Sequence, residues 1–224
     1  MEVVTPEVLW HGGVSENGKP APAPVFSVDT IAGCLVTAGI NECIPPMGCV
    51  RFWNIDNPRS APHCHLELAE HRDVVNVAKF SPCGLMLATA SDRTIIVYVA
   101  KTKDAWPRLS SSQSLEKIWI NPSLTEIYDL QWSPDSKHIV AGAIDCKAEI
   151  IRLATKMSSP LMGHTSYVQG VAWDPFDKMV VTQSADRSCR VHAVIDRFTE
   201  TTHHHMIAYT HCNCRTSTSQ CITP

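Results

Sequence analysis

The sequence predicts an all-β fold built from about four copies of one sheet unit, on three observations. Short apolar and β-branched runs, typical of strands, recur along the chain and are separated by Ser-Pro, Asp-Pro and Gly turns. The copies share one order of residues, and Asp145 and Asp186, which end the second run of two copies, lie 41 residues apart. The chain has 224 residues, which suits one domain, or at most two, and is long enough to bury a sizeable core.

Each copy contains three strand-like runs. The first runs are "APVFSVD", "HRDVVNVAKFSP", "LTEIYDLQWSP" and "HTSYVQGVAWDP". The second runs end on an acidic or amide residue and read "CLVTAGIN", "LMLATASD", "HIVAGAID" and "MVVTQSAD". The third runs are "VRFWNI", "TIIVYV", "AEIIRL" and "CRVHAV". Three visible strands and a less regular fourth, with a period of about 40 to 45 residues, are the signature of a WD-repeat β-propeller.

The copies predict a partial WD-repeat propeller over residues 1–196. Its blades are expected at about 22–55, 71–100, 123–154 and 164–195, and the longer second interval matches the polar insert "KDAWPRLSSSQSLEK". The propeller is therefore incomplete, with about four blades. The C-terminal tail, residues 197–224, has no blade periodicity and a Ser/Thr-rich end, so it is expected to be disordered and unstructured.

Two copies pair a histidine with an aspartate at nearly constant spacing. His71 and Asp92 are 21 residues apart, and His164 and Asp186 are 22 residues apart. In the WD repeats that these copies resemble, such a pair forms a hydrogen bond within one blade. We therefore predict that both pairs are structural rather than catalytic. The third copy has Asp145 in the same turn but a serine where the histidine would stand.

Four residues near the starts of the copies are candidates for partner binding. Propellers bind partners through loops around the central channel, and Arg72, Asp73, Tyr128 and Tyr167 fall in such loops. Arginine and tyrosine are favoured at the centres of protein interfaces. The alternative, that any one of the four is an ordinary loop residue, stays open at this stage.

Composition and motifs argue against several classes of protein. The net charge of −3 gives no global attraction to nucleic acid or to an anionic membrane. No G-x-S-x-G, phosphate-binding glycine loop or H-E-x-x-H occurs, so no enzyme and no cofactor are expected. The N-terminus lacks the pattern of a signal peptide, and the apolar stretch at 31–40 is too short to span a bilayer. We expect a soluble, non-secreted protein whose ten cysteines are mostly reduced.

The tail is rich in histidine and cysteine, the residues that zinc prefers. Its C-x-C has no second spaced pair, and the sequence around it offers nothing that would fold about a metal. No metal site is therefore predicted. The residues concerned are His203, His204, His205, His211, Cys212, Cys214 and Cys221.

Several phrases are more specific than the general repeat. "VLWHG", "PVFSVD", "HRDVVNVAKFSP", "EIYDLQWSPD" and "HTSYVQGVAWDP" occur in this order. Together they resemble the propellers of the chromatin assembly factor 1 middle-subunit family, in which closely similar phrases follow one another in the same order. The resemblance covers about residues 2–196, and HIR-type histone chaperone propellers are the nearest relatives by this pattern.

The resemblance implies a non-enzymatic histone chaperone subunit, located in the nucleus and acting as a protein-binding scaffold. Such a subunit helps to deposit histones three and four during nucleosome assembly on newly replicated or repaired DNA. The implied partners are histones three and four and the large and small subunits of a three-subunit chromatin assembly complex. Direct sequence-specific binding of nucleic acid and contact with a membrane are not implied.

The sequence departs from the family in two ways. The family propeller has about seven blades, and an acidic C-terminal region of the family carries the docking motif for the anti-silencing-function chaperone. About four blades and no such motif are visible here, so the chain is interpreted as a truncated form. The anti-silencing-function chaperone is expected to bind the full-length relative but not this chain.

A second class of function is compatible with the same repeats. A generic WD-repeat adaptor, in a ubiquitin-ligase or signalling complex, would have the same blades and different partners. The family phrases favour the chromatin interpretation, and the proteins that co-purify from nuclear extract would separate the two.

Overall fold

The computed structural model describes residues 11, 23–41, 47–56 and 62–194, together with the backbone of 13–14, 20–21 and 208–213. This part of the chain is almost entirely β-structure, arranged as four antiparallel four-stranded sheets and one two-stranded sheet. In the same part of the chain, no helix has the length and apolar character needed to cross a membrane.

Each four-stranded sheet is a meander of consecutive strands. A short hairpin, β1 (Gly13–Val14) and β2 (Pro20–Ala21), precedes them. The first sheet contains β3 (Val25–Ile31), β4 (Cys34–Ile40), β5 (Gly48–Asn54) and β6 (His63–His71). The second contains β7 (Val77–Phe80), β8 (Met86–Ser91), β9 (Thr94–Val99) and β10 (Glu116–Ile120). The third contains β11 (Ile127–Trp132), β12 (His138–Ala143), β13 (Ala148–Arg152) and β14 (Ser158–Leu161). The fourth contains β15 (Val168–Trp173), β16 (Met179–Ser184), β17 (Ser188–Ala193) and β18 (Ala208–Asn213).

Successive sheets pack face to face through apolar clusters, which confirms the predicted all-β, incomplete WD-type propeller. The second strand of each of the first three sheets presents a small residue to the next sheet, namely Ala38, Ala90 or Gly142. The approach at Gly142 is close, because a Cβ at this position would lie 2.6 Å from the Val168 side chain. Small residues on this strand therefore allow the first strand of the next sheet to come close.

Three of the four first strands contain a β-bulge of one residue. The register shifts between Val25 and Ser27 in β3, and the corresponding shifts in β11 and β15 leave Tyr128 and Gln169 as the extra residues. A bulge bends the strand and turns its extra side chain away from the regular alternation. Phe26, the extra residue of β3, and its two counterparts are exposed as a result.

Polar side chains beside the bulges connect one sheet to the next. The Ser27 hydroxyl accepts the backbone N–H of Ala78 at 3.0 Å, and Asp129 accepts that of Val171 at the same distance. Between the second and third sheets, the Asn76 amide donates to the carbonyl of Ile127 at 2.8 Å. These bonds hold neighbouring first strands in a fixed relation.

The insert between β9 and β10 packs against the first two sheets, although most of its residues are polar. It forms two 3₁₀ turns, Lys103–Arg108 and Ser112–Ser114, and buries Trp106 completely. The Trp106 ring stacks on Phe52 of the first sheet, at a centroid distance of 5.9 Å, and meets Phe80 of the second edge-on at 5.1 Å. Its Nε1 donates to the carbonyl of Gly84 at 2.8 Å. The insert therefore joins the two sheets.

The sheets extend beyond the blades expected from the sequence, because each gains a fourth strand. The expectation of an unstructured tail differs from the structure at Ala208–Asn213, which pairs with β17 as the outer strand of the fourth sheet. An outer strand pairs on one side only, so it requires no regular alternation of apolar residues. The other residues of 197–224 lie outside the described part of the chain.

Candidate functional site

A polar network around His164 lies inside the fourth sheet and brings together the predicted pair. His164 Nδ1 lies 2.9 Å from an Asp186 carboxylate oxygen, and His164 Nε2 lies 2.8 Å from the Thr182 hydroxyl. The same hydroxyl lies 3.1 Å from His192 Nε2. The backbone N–H of Ser188 donates to Asp186 at 2.8 Å. The network links β16 and β17 to the segment that precedes β15.

One arrangement of protons that gives each group of this network a partner is the following. A carboxylate only accepts, so His164 Nδ1 donates to Asp186. With His164 neutral, its Nε2 accepts a hydrogen bond from the Thr182 hydroxyl. The Thr182 oxygen in turn accepts a hydrogen bond from His192 Nε2. Burial above all lowers the pKa of His192 to about 4, so this ring is neutral at pH 7. Burial alone would raise the pKa of Asp186, but the hydrogen bonds it accepts, that of Ser188 first, hold the pKa well below its usual range.

A second network lies in the first sheet and depends on His11, which sequence reasoning did not single out. His11 Nε2 lies 2.7 Å from the Thr37 hydroxyl, and Trp53 Nε1 donates to the same hydroxyl at 2.8 Å. Burial, followed by the nearby charge of Arg51, lowers the pKa of His11 to about 4. The His-Gly of "VLWHG" was the sequence signal for this histidine. The spacing hid it: His11 and Thr37 are 26 residues apart because the β1–β2 hairpin lies between them, whereas His164 and Thr182 of the fourth sheet are 18 residues apart.

The second sheet departs from the expected pairing. His71 Nε2 lies 2.7 Å from the Thr89 hydroxyl, but among the described residues no hydrogen bond joins His71 to Asp92. Asp92 is exposed and has a φ of 43°. The length of the turn is the reason: residues 92–93 alone connect β8 to β9, whereas 185–187 connect β16 to β17. The shorter turn leaves the Asp92 carboxylate in solvent.

The third sheet has no equivalent network, because Ala141 stands where the other sheets carry the threonine. Asp145 lies in the predicted turn and forms an ion pair with Lys147 at 3.2 Å. The other carboxylate oxygen of Asp145 is buried without a hydrogen-bond partner among the described residues. Asp145 is thus a turn residue without a histidine partner.

The four surface candidates fall into two pairs. Arg72 and Asp73 are exposed in the segment that leads into β7, and the Asp73 carbonyl accepts the Ser91 hydroxyl at 2.8 Å. Tyr128 and Tyr167 contact each other, with ring centroids 6.1 Å apart. No hydrogen bond or ring contact among the described residues joins the first pair to the second. The tyrosine pair is therefore a local site of its own.

The described residues contain no group of three or more His, Cys, Asp and Glu side chains arranged to hold a metal ion. The histidines and cysteines of the tail named above have no described side chains, and most lie wholly outside the described residues.

The two turns offer a matched test of the His164 network. We expect Asp186→Asn to lower the free energy of unfolding by about 1 to 3 kcal/mol, because it removes an acceptor from buried donors. Asp92→Asn changes the same residue type in an exposed turn and should stay within about 0.5 kcal/mol of the parent. Urea unfolding followed by tryptophan fluorescence measures both. Equal losses in the two variants would contradict the structural role of the network.

The sheets and their networks define the class of protein. In the first and fourth sheets, a histidine before the first strand, a threonine on the second and a tryptophan or histidine on the third bond to one another, as in WD-type β-propellers. A family model described as "CAF1B/HIR1 beta-propeller domain" matches residues 1–221. The chain therefore belongs to the CAF1B/HIR1 β-propeller family.

Curated relatives carry matching names. A chromatin assembly factor 1 subunit from Mus musculus is 27% identical over 86% of this chain and 35% of its own length. The "FAS2 homolog" subunit of chromatin assembly factor 1 from Oryza sativa is 32% identical over 82% of this chain and 36% of its own. "Protein HIR1" of Yarrowia lipolytica is 31% identical over 55% of this chain and 13% of its own. The chain spans about a third of the length of the mouse and rice proteins.

A solved structure, that of Sqt1 from Chaetomium thermophilum, is similar in fold. The TM-score is 0.59 and the sequence identity is 20%, over 77% of this chain and 43% of that one. At this identity the likeness concerns the fold alone.

Proposed function

We propose that this chain belongs to a histone chaperone subunit for nucleosome assembly coupled to replication and repair. It acts in the nucleus as a protein-binding scaffold that helps to deposit histones three and four. The observation that carries the proposal is the family match over residues 1–221, together with relatives named as chromatin assembly factor 1 subunits. The partners proposed are histones three and four and the large and small subunits of the complex.

The buried histidines support a scaffold rather than an enzyme. His11, His71, His164 and His192 are buried, and each lies within hydrogen-bond distance of a threonine hydroxyl on the second strand of its own sheet. Groups bonded in this way hold strands together, which is a structural role.

The charge balance is compatible with a basic protein partner. The chain has 22 Asp and Glu residues against 19 Lys and Arg, a net charge of −3. A net charge this small gives no general attraction to the phosphate backbone of DNA, and contact with a basic protein would come from local acidic patches. This balance suits histones better than free nucleic acid.

Affinity capture of the tagged chain from nuclear extract tests the proposal. We expect the large and small subunits of the chromatin assembly complex and histones three and four in the captured material, identified by mass spectrometry. Capture of cullin-type or signalling partners instead would favour a generic WD-repeat adaptor and contradict the proposal.

A further inference from the structure

Tyr128 and Tyr167 form an exposed aromatic pair where the third and fourth sheets meet. Their ring planes are inclined by 36°, and their exposed fractions are 37% and 39%. Large aromatic side chains are more often buried in a core or an interface than left in water. An exposed pair in mutual contact is therefore a preformed apolar surface.

The backbone holds both rings at this place. Tyr128 is the extra residue of the bulge in β11, and its neighbour Ile127 is fully buried. Tyr167 directly precedes β15, and its carbonyl accepts the backbone N–H of Ala185 at 3.0 Å. The bulge turns the Tyr128 ring away from the packed region between the sheets. Bulges near functional sites often reorient a side chain in this way.

The two chain segments that carry the pair contain negative charges and no positive ones. Residues 121–131, which contain Tyr128, include Glu126 and Asp129 and no lysine or arginine; residues 162–172, which contain Tyr167, include no Asp, Glu, Lys or Arg. Glu126 is exposed. The cations of the neighbouring elements include Lys79, whose charge acts on the Asp129 carboxylate, Lys147, which is paired with Asp145, and the exposed Arg187.

We propose that Tyr128, Tyr167 and Glu126 form a docking site for an arginine or lysine side chain from a basic segment of a protein partner. A cation placed over a tyrosine ring is attracted by the negative face of the ring, and the carboxylate of Glu126, two residues before Tyr128 in the chain, would add to the attraction. This inference rests on the proposed function in one respect, since histone segments are the basic partner expected.

Fluorescence anisotropy with the 224-residue chain tests the site. Two probes are used: purified histones three and four, and a labelled peptide of alternating arginine and glycine, with a peptide of citrulline in place of arginine as its control. We expect Tyr128→Ala and Tyr167→Ala each to weaken binding of both basic probes about tenfold. Glu126→Gln should weaken it about threefold.

Tyr128→Phe keeps the ring face and should bind as the parent does. Phe176→Ala is a matched control, because Phe176 is 80% exposed and follows β15, at the opposite end of that strand from Tyr167. It should leave binding unchanged. Thermal unfolding of each variant checks that a loss of binding is not a loss of folding.

The outcomes separate this inference from the proposed function. Histone binding that does not respond to either tyrosine variant would overturn the site and leave the proposed function standing. Binding of the arginine peptide through the tyrosines without histone binding would support the site and contradict the proposed function. Binding of neither basic probe, equal binding of the citrulline peptide, or tighter binding of single-stranded nucleic acid by stacking on the same rings would overturn the site.

Discussion

Replacing Trp106 by alanine is expected to lower the free energy of unfolding by about 3 to 5 kcal/mol. The side chain is fully buried between Phe52 and Phe80, and its Nε1 donates to the carbonyl of Gly84. The variant creates a cavity between the first and second sheets and leaves a buried carbonyl without its donor. Urea unfolding followed by circular dichroism measures the loss.

Trp119→Ala is the matched control, because Trp119 is 46% exposed on β10. Its loss should stay below about 1 kcal/mol. Trp106→Phe keeps an aromatic ring but removes the hydrogen bond and part of the ring volume, so it should cost about 1 to 3 kcal/mol, less than Trp106→Ala. A Trp106→Ala variant no less stable than Trp119→Ala would show that the insert does not join the two sheets.

Acidification from pH 7 to pH 4 is expected to destabilise the fold before the carboxylates titrate. Burial lowers the pKa of His11, His71 and His192 to about 4, below the ordinary value of 6.5. The unfolded chain therefore takes up protons below about pH 6.5 while the folded chain does not. The stability that these neutral rings contribute is present above that pH and is lost as the pH falls, by at most about 3 kcal/mol for each histidine.

Urea midpoints at about pH 7.5, 6, 5 and 4.5 would measure this dependence. The pKa of Asp186 is lowered, so its contribution is lost only at still lower pH. His71→Gln replaces a titrating ring by an amide that can still reach the Thr89 hydroxyl, and it should flatten the curve. Equal stability at the two ends of this pH range would contradict the assignment of neutral, buried histidines.

The repeat could be predicted because three strands in each copy alternate or bury their residues regularly. The outer strands were harder to predict than the inner three, because they pair on one side only. For example, β14 reads Ser-Ser-Pro-Leu and buries only Leu161 fully. The strand at Ala208–Asn213 was missed for the same reason. Packing of the insert was missed because only a few apolar residues, Trp106, Leu109 and Leu115, carry it within a largely polar segment.

Contacts at the site could be predicted where the spacing of two residues along the chain was enough to bring them together. His164 meets Asp186 as the spacing suggested, whereas a turn shorter by one residue separates Asp92 from His71. The contact between Tyr128 and Tyr167 depends on a bulge and on the packing of two sheets, neither of which a single sequence displays.

The composition of the complexes formed by this chain in nuclear extract tests the central claim most directly. The tagged chain is captured beside Trp106→Ala, which controls for proteins that bind unfolded chains, and the enriched proteins are quantified by mass spectrometry. We predict enrichment of the large and small chromatin assembly subunits with histones three and four on the parent chain, and loss of that enrichment on the variant. Enrichment of cullin-type or signalling proteins without these subunits would contradict the account.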